Sequence, residues 1–360
     1  MTYRRALIPA AVGGALLTLL TLWAGASASA LQLQGTGNVF DIESATALRT
    51  LLSPWSYSGV SGGALYADLY RTAMQIRFVT LFLFFVAGAL LLLRRLPPVQ
   101  GRTPATLLAL WAWAPVAATL AVTVSAPWLI ASRGHGSFRV LPQVASVIAS
   151  GGPVAVVAGL LTAPVMVVLA RVMNVDPEPL PRRDVPPLAA RLAASAGTAV
   201  VALSLVVLSY QSVAAWIQTS FPGEGLLSEP GDLLREWLLL GAWSGPSTTP
   251  LGDWLLYRAA DVVVLAVVWW ALRLLPGLLT EATAPAMAAG AVCATVLGLL
   301  AGQFLHWATD DTTTVRGPVS LVAGLGGGVP AALVFGVIAG IAAVVTLRLA
   351  GRRDTADAAG

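Results

Sequence analysis

The stretch GGPVAVVAGLLTAPVMVVLAR, which runs from Gly151 to Arg171, decides how this chain folds. Its 18 residues from Pro153 to Ala170 carry no charge and would form about 27 Å of α-helix at 1.5 Å per residue. That length is close to the roughly 30 Å hydrocarbon core of a bilayer. Because glycine is permissive and proline starts a helix well, the Gly-Gly-Pro sequence predicts a break followed by a new helix.

Comparable apolar runs recur along all 360 residues of the chain. Hydrophobic residues make up 57% of the sequence and charged residues only 11%, and the mean hydropathy is +0.80. This combination excludes a soluble enzyme and predicts an all-α polytopic membrane protein. Eight segments are long enough to cross a membrane, at residues 6–26, 74–93, 105–130, 144–170, 192–216, 255–275, 286–307 and 319–347.

The distribution of charge predicts the orientation of these segments. Eight crossings put both termini on one side, and cytoplasmic termini place 13 of the 21 arginines but only six of the 17 acidic residues inside. By the positive-inside rule this favours an N-in/C-in arrangement in a bacterial cell membrane. The net charge of +4 then reflects orientation, so the predicted partner is the lipid bilayer and not nucleic acid. The absence of lysine indicates GC-rich, actinobacterial coding.

The second half of the chain repeats the first. Residues 139–171 align with residues 316–348 at a constant shift of 177, with nine identities in 33 positions that include arginine, glycine and proline. Chance similarity between Ala/Val/Gly/Leu-rich helices is the alternative, but tryptophan, tyrosine and proline also recur in the same order upstream. Because each half holds four crossings, we predict two parallel four-helix repeats that share one orientation.

The first apolar segment has two interpretations. The first apolar segment follows Arg4 and Arg5 and ends in an A-x-A pattern, so a cleaved secretory signal is the alternative to a retained helix. Its apolar run is long for a signal, and cleavage would leave the first repeat one helix short, so we predict retention.

The repeat divides the chain into four predicted regions. They are a first four-helix repeat with an outer amphipathic loop (1–170), a Pro/Arg-rich cytoplasmic linker (171–191), a second four-helix repeat (192–348) and a disordered cytoplasmic tail (349–360).

Both long outer loops contain apolar residues at helical spacing, at 42–52 and at 233–240. This spacing predicts amphipathic helices that lie on the outer leaflet. A lid over a central site is the alternative interpretation.

The most informative functional pattern is a pair of glycine–proline interruptions near the outer ends of the fourth and eighth segments. Half-helix N-termini at such breaks offer free N–H groups and a positive dipole end, and paired breaks mark the binding site in transporters. We predict a polar cavity between the two halves, with ordinary loop turns as the alternative. The predicted ligand-binding residues are Gly151, Gly152, Pro153, Gly327, Gly328 and Pro330, with Arg139 and Arg316 just outside to attract an anionic group.

Few ionisable residues lie inside the segments. Arg258 and Asp261 are three residues apart, which predicts either a structural ion pair or a site of ion or proton coupling. His306 and Asp310, with His135 of the first half, are weak candidates for a metal or acid/base site, and solvated loop residues are the favoured interpretation. The single cysteine, Cys293, predicts an inert core residue. We expect no metal, no cofactor and no catalytic residue.

These patterns leave three classes of function open. The leading one is an integral membrane transporter or permease-type protein, with a small polar or anionic ligand and an ATPase or another membrane subunit as candidate partner. The second is a non-catalytic envelope scaffold or accessory subunit of an export, secretion or cell-wall complex. The third is a membrane-embedded transferase on lipid-linked substrates that uses Asp41, Glu43 or Asp68 of the first outer loop. An enzyme is the less favoured interpretation.

Overall fold

The computed structural model describes residues 3–33, 64–99, 101–132, 140–149, 152–173, 185–220, 229–244, 251–309 and 326–357. Throughout these ranges the regular secondary structure is helical, and no β-sheet forms. Eight helical stretches within them are long and apolar enough to cross a membrane. The predicted all-α, multi-pass class with eight candidate spans is therefore confirmed.

The described helices fall into two sets of similar order. The first set is α1 (Tyr3–Leu33), α2 (Ala64–Arg95), α3 (Thr103–Ala131), α4 (Val140–Ala149) and α5 (Gly152–Val172). The second set is α6 (Pro187–Ala202), the π-helix π1 (Leu203–Leu208), α7 (Gln211–Thr219), α8 (Pro230–Leu238), α9 (Leu251–Leu278), α10 (Ala284–Thr309) and α11 (Val329–Asp357). The candidate spans are α1, α2, α3, α4 with α5, α6 with π1, α9, α10 and α11.

Each set forms a four-helix bundle with the same order of neighbours. In the first bundle α1 packs against α2, α2 against α3, α3 against α5, and α5 against α1. In the second bundle α6 packs against α9, α9 against α10, α10 against α11, and α11 against α6. The bundles meet along α3 and α10, which are the most deeply buried of the spans.

Two glycines let the last helix of each bundle approach the third spanning helix closely. A Cβ at Gly159 of α5 would lie 2.5 Å from the Cβ of Ala114, and a Cβ at Gly336 of α11 would lie 2.6 Å from the Cα of Val292. Small residues bring helices together in membranes because lipid is as apolar as the helices themselves. The two glycines are 177 residues apart, which is the shift at which the two halves align.

The helices alternate in direction, so the molecule has two faces. On one, which we call the terminal face, Thr280 N donates to Arg95 O at 2.9 Å, and the Arg95 side chain pairs with Glu281. These contacts join α2 of the first bundle to the turn between α9 and α10 of the second. The opposite face carries α4, α7, α8 and the segment 239–244, and we call it the loop face.

The fifth segment departs from the continuous helix predicted over 192–216. After α6 the chain forms the π-helix, and α7 begins at Gln211 after a turn at Ser209. The cause is tertiary, because serine hydroxyls and carbonyl groups of this region bond the segment 239–244 of the same bundle.

Two further expectations are answered by the helix boundaries. The tail over 349–360, expected to be disordered, is helical as far as Asp357, because that stretch contains no proline to stop α11. The amphipathic helix expected over 233–240 is α8, which begins slightly earlier. The helix expected over 42–52 lies outside the described residues.

Candidate functional site

Gly152, at the start of α5, and the glycine turn over 326–328 meet at the junction of the bundles. The helix α5 begins at Gly152, and α11 begins after a turn over 326–328. A Cβ at Gly152 would lie 2.8 Å from the carbonyl oxygen of Gly326. Gly326 and Gly328 have φ angles of 83° and 78°, a left-handed backbone that favours glycine. Because the two backbones touch, no ligand fits between Gly152 and Gly326.

The residues predicted to bind a ligand lie around this contact or outside the described residues. Pro153 and Pro330 occupy the second positions of α5 and α11, where the missing N–H breaks no helical hydrogen bond. Gly328 packs on the second bundle, because its Cβ would lie 2.9 Å from the carbonyl oxygen of Leu240. The candidate residues that lie outside the described residues are Gly151, Arg139, Arg316, His135, Asp310, Asp41 and Glu43.

A polar cavity of about 340 Å³ opens inside the second bundle. It lies near the loop face, among π1, α9, α10 and the segment 239–244. This cavity therefore does not occupy the position between the two halves that the sequence analysis predicted. Its polar and aromatic lining residues are Trp243, Ser244, Trp254, Tyr257, Arg258, Asp261, Gln303 and His306.

Arg258 and Asp261 form an ion pair in this cavity. Their Nη1 and Oδ2 atoms are 2.6 Å apart, and each side chain is 23% exposed. The Arg258 guanidinium also lies over the Trp243 ring, 4.5 Å from its centroid, in a cation–π contact. Asp261 comes seven residues after Trp254, where this span begins, so it lies about 10 Å inside the span. Arg258 Nε is buried and has no hydrogen-bond acceptor among the described residues.

Gln303 connects the wall of the cavity to the glycine break. Its Nε2 donates to Gly327 O at 3.2 Å, and its Oε1 accepts a hydrogen bond from Gly326 N at 3.1 Å. One turn further along α10, the His306 ring packs on Tyr257 with the ring centroids 4.4 Å apart. Gln303 therefore links the cavity to the turn that contacts the first bundle.

The segment 239–244, which forms one wall of the cavity, is held by serine hydroxyls. Ser204 Oγ accepts a hydrogen bond from Leu240 N at 3.2 Å. Ser209 Oγ accepts one from Gly241 N at 3.1 Å. Two backbone donors of the wall are thereby satisfied by side chains of the interrupted fifth span.

Trp243 is fixed by its indole on the π-helix and by its backbone on the residues that follow the π-helix. Its N donates to Ser209 O at 3.0 Å, its Nε1 donates to Val206 O at 3.0 Å, and its O accepts from Gln211 N at 2.9 Å. A π-helical turn leaves carbonyl groups available for such partners, and these turns are frequent at functional sites. Sequence reasoning missed this part of the site, because its only local signal is two serines in an apolar run.

The helix α8 lies on the loop face and reaches across to the first bundle. Its residues Leu233 and Trp237 pack in an apolar cluster with Ile148 of α4. Burial raises the pKa of the Glu236 carboxyl above its ordinary value, and the charge of Arg235 opposes this with a smaller lowering. The helix therefore bridges the two bundles rather than resting on lipid alone.

The other candidate residues are explained by packing. Within the described ranges, no group of three or more His, Cys, Asp or Glu side chains could hold a metal ion. Cys293 is buried, and its thiol donates to Ala109 O at 3.4 Å. The cysteine therefore belongs to the contact of α10 with α3.

Comparisons with known proteins identify no relative. No protein-family model, no curated protein and no solved structure matches this chain.

Proposed function

We propose that this chain is a membrane transporter or permease-type protein that takes a small polar ligand into the second-bundle cavity from the loop face. The observation that carries the proposal is the Arg258–Asp261 pair, which lines an open cavity inside the span. Ionisable groups at such depth are costly, and they mark the pathways of substrates and ions. Because the pair faces a cavity and not only other helices, a ligand can reach it.

The chemistry of the cavity suits a small acid. Arg258 offers a positive charge, and Trp243 and Tyr257 offer flat apolar surface. Asp261 supplies an acceptor for an amino or hydroxyl group of the same ligand. The volume of about 340 Å³ is at the lower end of the roughly 300 to 1,000 Å³ of small-molecule sites. We therefore propose an amino acid or hydroxy acid as the class of ligand.

Gln303 would couple ligand binding to the junction of the bundles. A polar ligand competes for the Gln303 amide, whose present partners are the backbone groups of Gly326 and Gly327. Loss of these bonds weakens the turn that touches Gly152. Rocking of one bundle against the other about this contact is the motion expected of a transporter built from two repeats.

We further propose that the two bundles are parallel repeats. The matching order of helix neighbours supports this proposal. So do the equivalent close contacts of Gly159 with Ala114 and of Gly336 with Val292.

We propose a cytoplasmic terminal face, which the distribution of arginine supports. Cysteine labelling in a Cys293→Ala background tests this orientation. A cysteine at Leu251, which is 65% exposed near the loop face, should react in intact cells. A cysteine at Leu188, which is 70% exposed at the terminal face, should react only after permeabilisation. The opposite pattern would reverse the orientation.

Thermal unfolding of the purified protein with a panel of amino acids and hydroxy acids tests the proposed ligand class. A ligand at 100 times its Kd stabilises the folded state by about 2.7 kcal/mol, so a binder should raise the melting temperature by several degrees. Arg258→Gln should abolish that rise. The matched control is Arg71→Gln, because Arg71 forms an i, i+3 pair with Asp68 that is exposed on α2.

Uptake of the stabilising acid into proteoliposomes distinguishes transport from binding alone. The wild-type protein should take up the labelled acid, Asp261→Asn should lose uptake, and Asp68→Asn should keep it. If no acid stabilises the protein, or if Arg258→Gln keeps the full rise in melting temperature, the transporter proposal fails and the scaffold interpretation becomes the better one.

A further inference from the structure

An apolar groove of about 350 Å³ lies between the two bundles. The helices α2 and α3 form one wall, and α9 and α10 form the other. Apart from the thiol of Cys293, the described side chains that line it are hydrocarbon or aromatic. Ala109 and Leu300 at its floor are buried, whereas Trp270 and Leu274 at its rim are 62% and 41% exposed. Because these rim residues belong to a spanning helix, the groove opens sideways to lipid.

The part of the groove next to the terminal face matches one acyl chain in length. Along α9 the groove runs from Leu279 at the terminal face to Val267, 12 positions and about 18 Å of helix, and along α10 it extends further, to Phe304. One leaflet contributes about half of the roughly 30 Å hydrocarbon core. A chain that enters at the terminal face therefore reaches to about the level of Trp270. Without the acyl chain, the groove walls would lack dispersion contacts on the side that faces the empty space.

Basic groups lie where the headgroup of such a lipid would be. The helix α2 ends at the terminal face with Arg94 and Arg95, directly before Leu96, which lines the groove. Arg94 is exposed, and the Arg95 side chain is 27% exposed where it pairs with Glu281 of the second bundle. Basic residues between membrane helices at this level bind anionic lipid headgroups.

We propose that the groove holds one acyl chain of an anionic phospholipid from the terminal-face leaflet, with the lipid phosphate at Arg94 and Arg95. The chain fills the part of the groove next to the terminal face, and the headgroup lies over the turn that joins the bundles through Glu281. The bound lipid thereby stabilises the junction of the bundles. This site is independent of the polar cavity, which lies near the opposite face.

Two lipids with the same acyl chains test the site on delipidated protein in detergent. We expect native mass spectrometry to show one tightly retained dioleoylphosphatidylglycerol per chain, and the same lipid to raise the melting temperature. Dioleoylphosphatidylcholine should be retained about tenfold less well. Equal retention of the two lipids would overturn the assignment of an anionic headgroup.

Matched variants locate the chain and the headgroup. Ala271→Phe places a ring in the groove and should weaken retention of phosphatidylglycerol about tenfold, whereas Ala266→Phe, on the exposed face of the same helix, should not. Arg94→Gln combined with Arg95→Gln should remove the preference for phosphatidylglycerol. Glu281→Gln breaks the same ion pair but keeps both arginines, so it should keep the preference. Full retention by Ala271→Phe would exclude the groove as the site.

A photoreactive phosphatidylglycerol with a diazirine in its acyl chain provides a measurement on the wild-type protein, should Ala271→Phe not fold. Crosslinks should concentrate on Trp270 and Leu274 and saturate at one lipid per chain. Equal labelling of Val262, which is 64% exposed elsewhere on the same helix, would overturn the proposal. So would a dimer that Ala271→Phe dissociates, since a second copy of the chain would then cover the groove.

Discussion

Gly152 of the first bundle and Gly326 of the second are in backbone contact, and a Cβ at Gly152 would lie only 2.8 Å from Gly326 O. The same glycine turn is bonded on its other side by Gln303, which lines the polar cavity. The junction of the bundles and the candidate ligand site are thus two sides of one turn. A substitution at the junction should therefore affect the ligand site, and a substitution at the ligand site should affect the junction.

A methyl group added at this contact should destabilise the protein. Gly152→Ala is expected to lower the free energy of unfolding by about 1 to 3 kcal/mol, because backbone must move to admit the Cβ. Gly326→Ala should cost about 1 to 2 kcal/mol more, since its φ of 83° is unfavourable for alanine. The control is Gly277→Ala, because no described atom beyond its chain neighbours and the backbone of its own helix lies within 4 Å of its Cβ position. Equal melting temperatures for all three variants would contradict the close contact.

Breaking the Arg258–Asp261 pair should cost more stability than breaking an exposed pair of the same spacing. Asp261→Asn leaves the Arg258 charge half-buried, and we expect a loss of about 1 to 3 kcal/mol, below the roughly 3 to 5 kcal/mol of a fully buried pair. Asp68→Asn should cost no more than about 1 kcal/mol, because its pair with Arg71 is exposed. A double-mutant cycle with Arg258→Gln measures the coupling. A coupling near zero would show that solvent screens the pair.

Ser204→Ala and Ser209→Ala should each loosen the wall of the cavity. Each hydroxyl accepts a hydrogen bond from a backbone N–H of that wall, and a buried donor left without an acceptor costs about 1 to 3 kcal/mol. Hydrogen–deuterium exchange should become faster at Leu240 in the first variant and at Gly241 in the second. Ser146→Ala is the control, because its exposed hydroxyl bonds a carbonyl of its own helix. Unchanged exchange at both amides would remove the serines from the support of the wall.

Glu236 should make the stability of the protein depend on pH. Burial raises its pKa in the folded state, so the folded protein keeps this proton at pH values where the unfolded chain has released it. The stabilising effect is therefore complete below the ordinary glutamate pKa, and it is lost as the pH rises from that value to the raised pKa. Glu236→Gln should flatten this part of the curve and raise the melting temperature at neutral pH. Unfolding scans from about pH 4 to about pH 8 measure both effects, and an unchanged slope would contradict the burial of this carboxyl.

The spans, the helix starts beside Pro153 and Pro330, and the ion pair could be predicted because each depends on residues that are close together in the chain. An uncharged run such as 153–170 forms its hydrogen bonds within one helix and is long enough to cross a membrane. Arg258 and Asp261 meet because residues three apart share one face of a helix. The proline at position 153 favours a helix start there whatever that helix packs against.

Only the tertiary structure decided where the cavity lies. The matching breaks suggested a cavity between them, but Gly152 and Gly326 pack together, and the cavity opens behind Gln303 in the second bundle. Its wall exists because Trp243 bonds Val206 on the π-helix and lies over Arg258. These partners are far apart in the chain, so no local spacing brings them together.

For the helix α8, too, the sequence predicted the helix and only the packing decided its position. Its spacing of apolar residues predicted an amphipathic helix, whereas only packing places Leu233 and Trp237 on the first bundle rather than on lipid. An amphipathic pattern specifies which face of a helix is apolar, because side-chain positions follow the 3.6-residue turn. It does not specify the partner of that face, because lipid and the apolar side of either bundle offer similar burial.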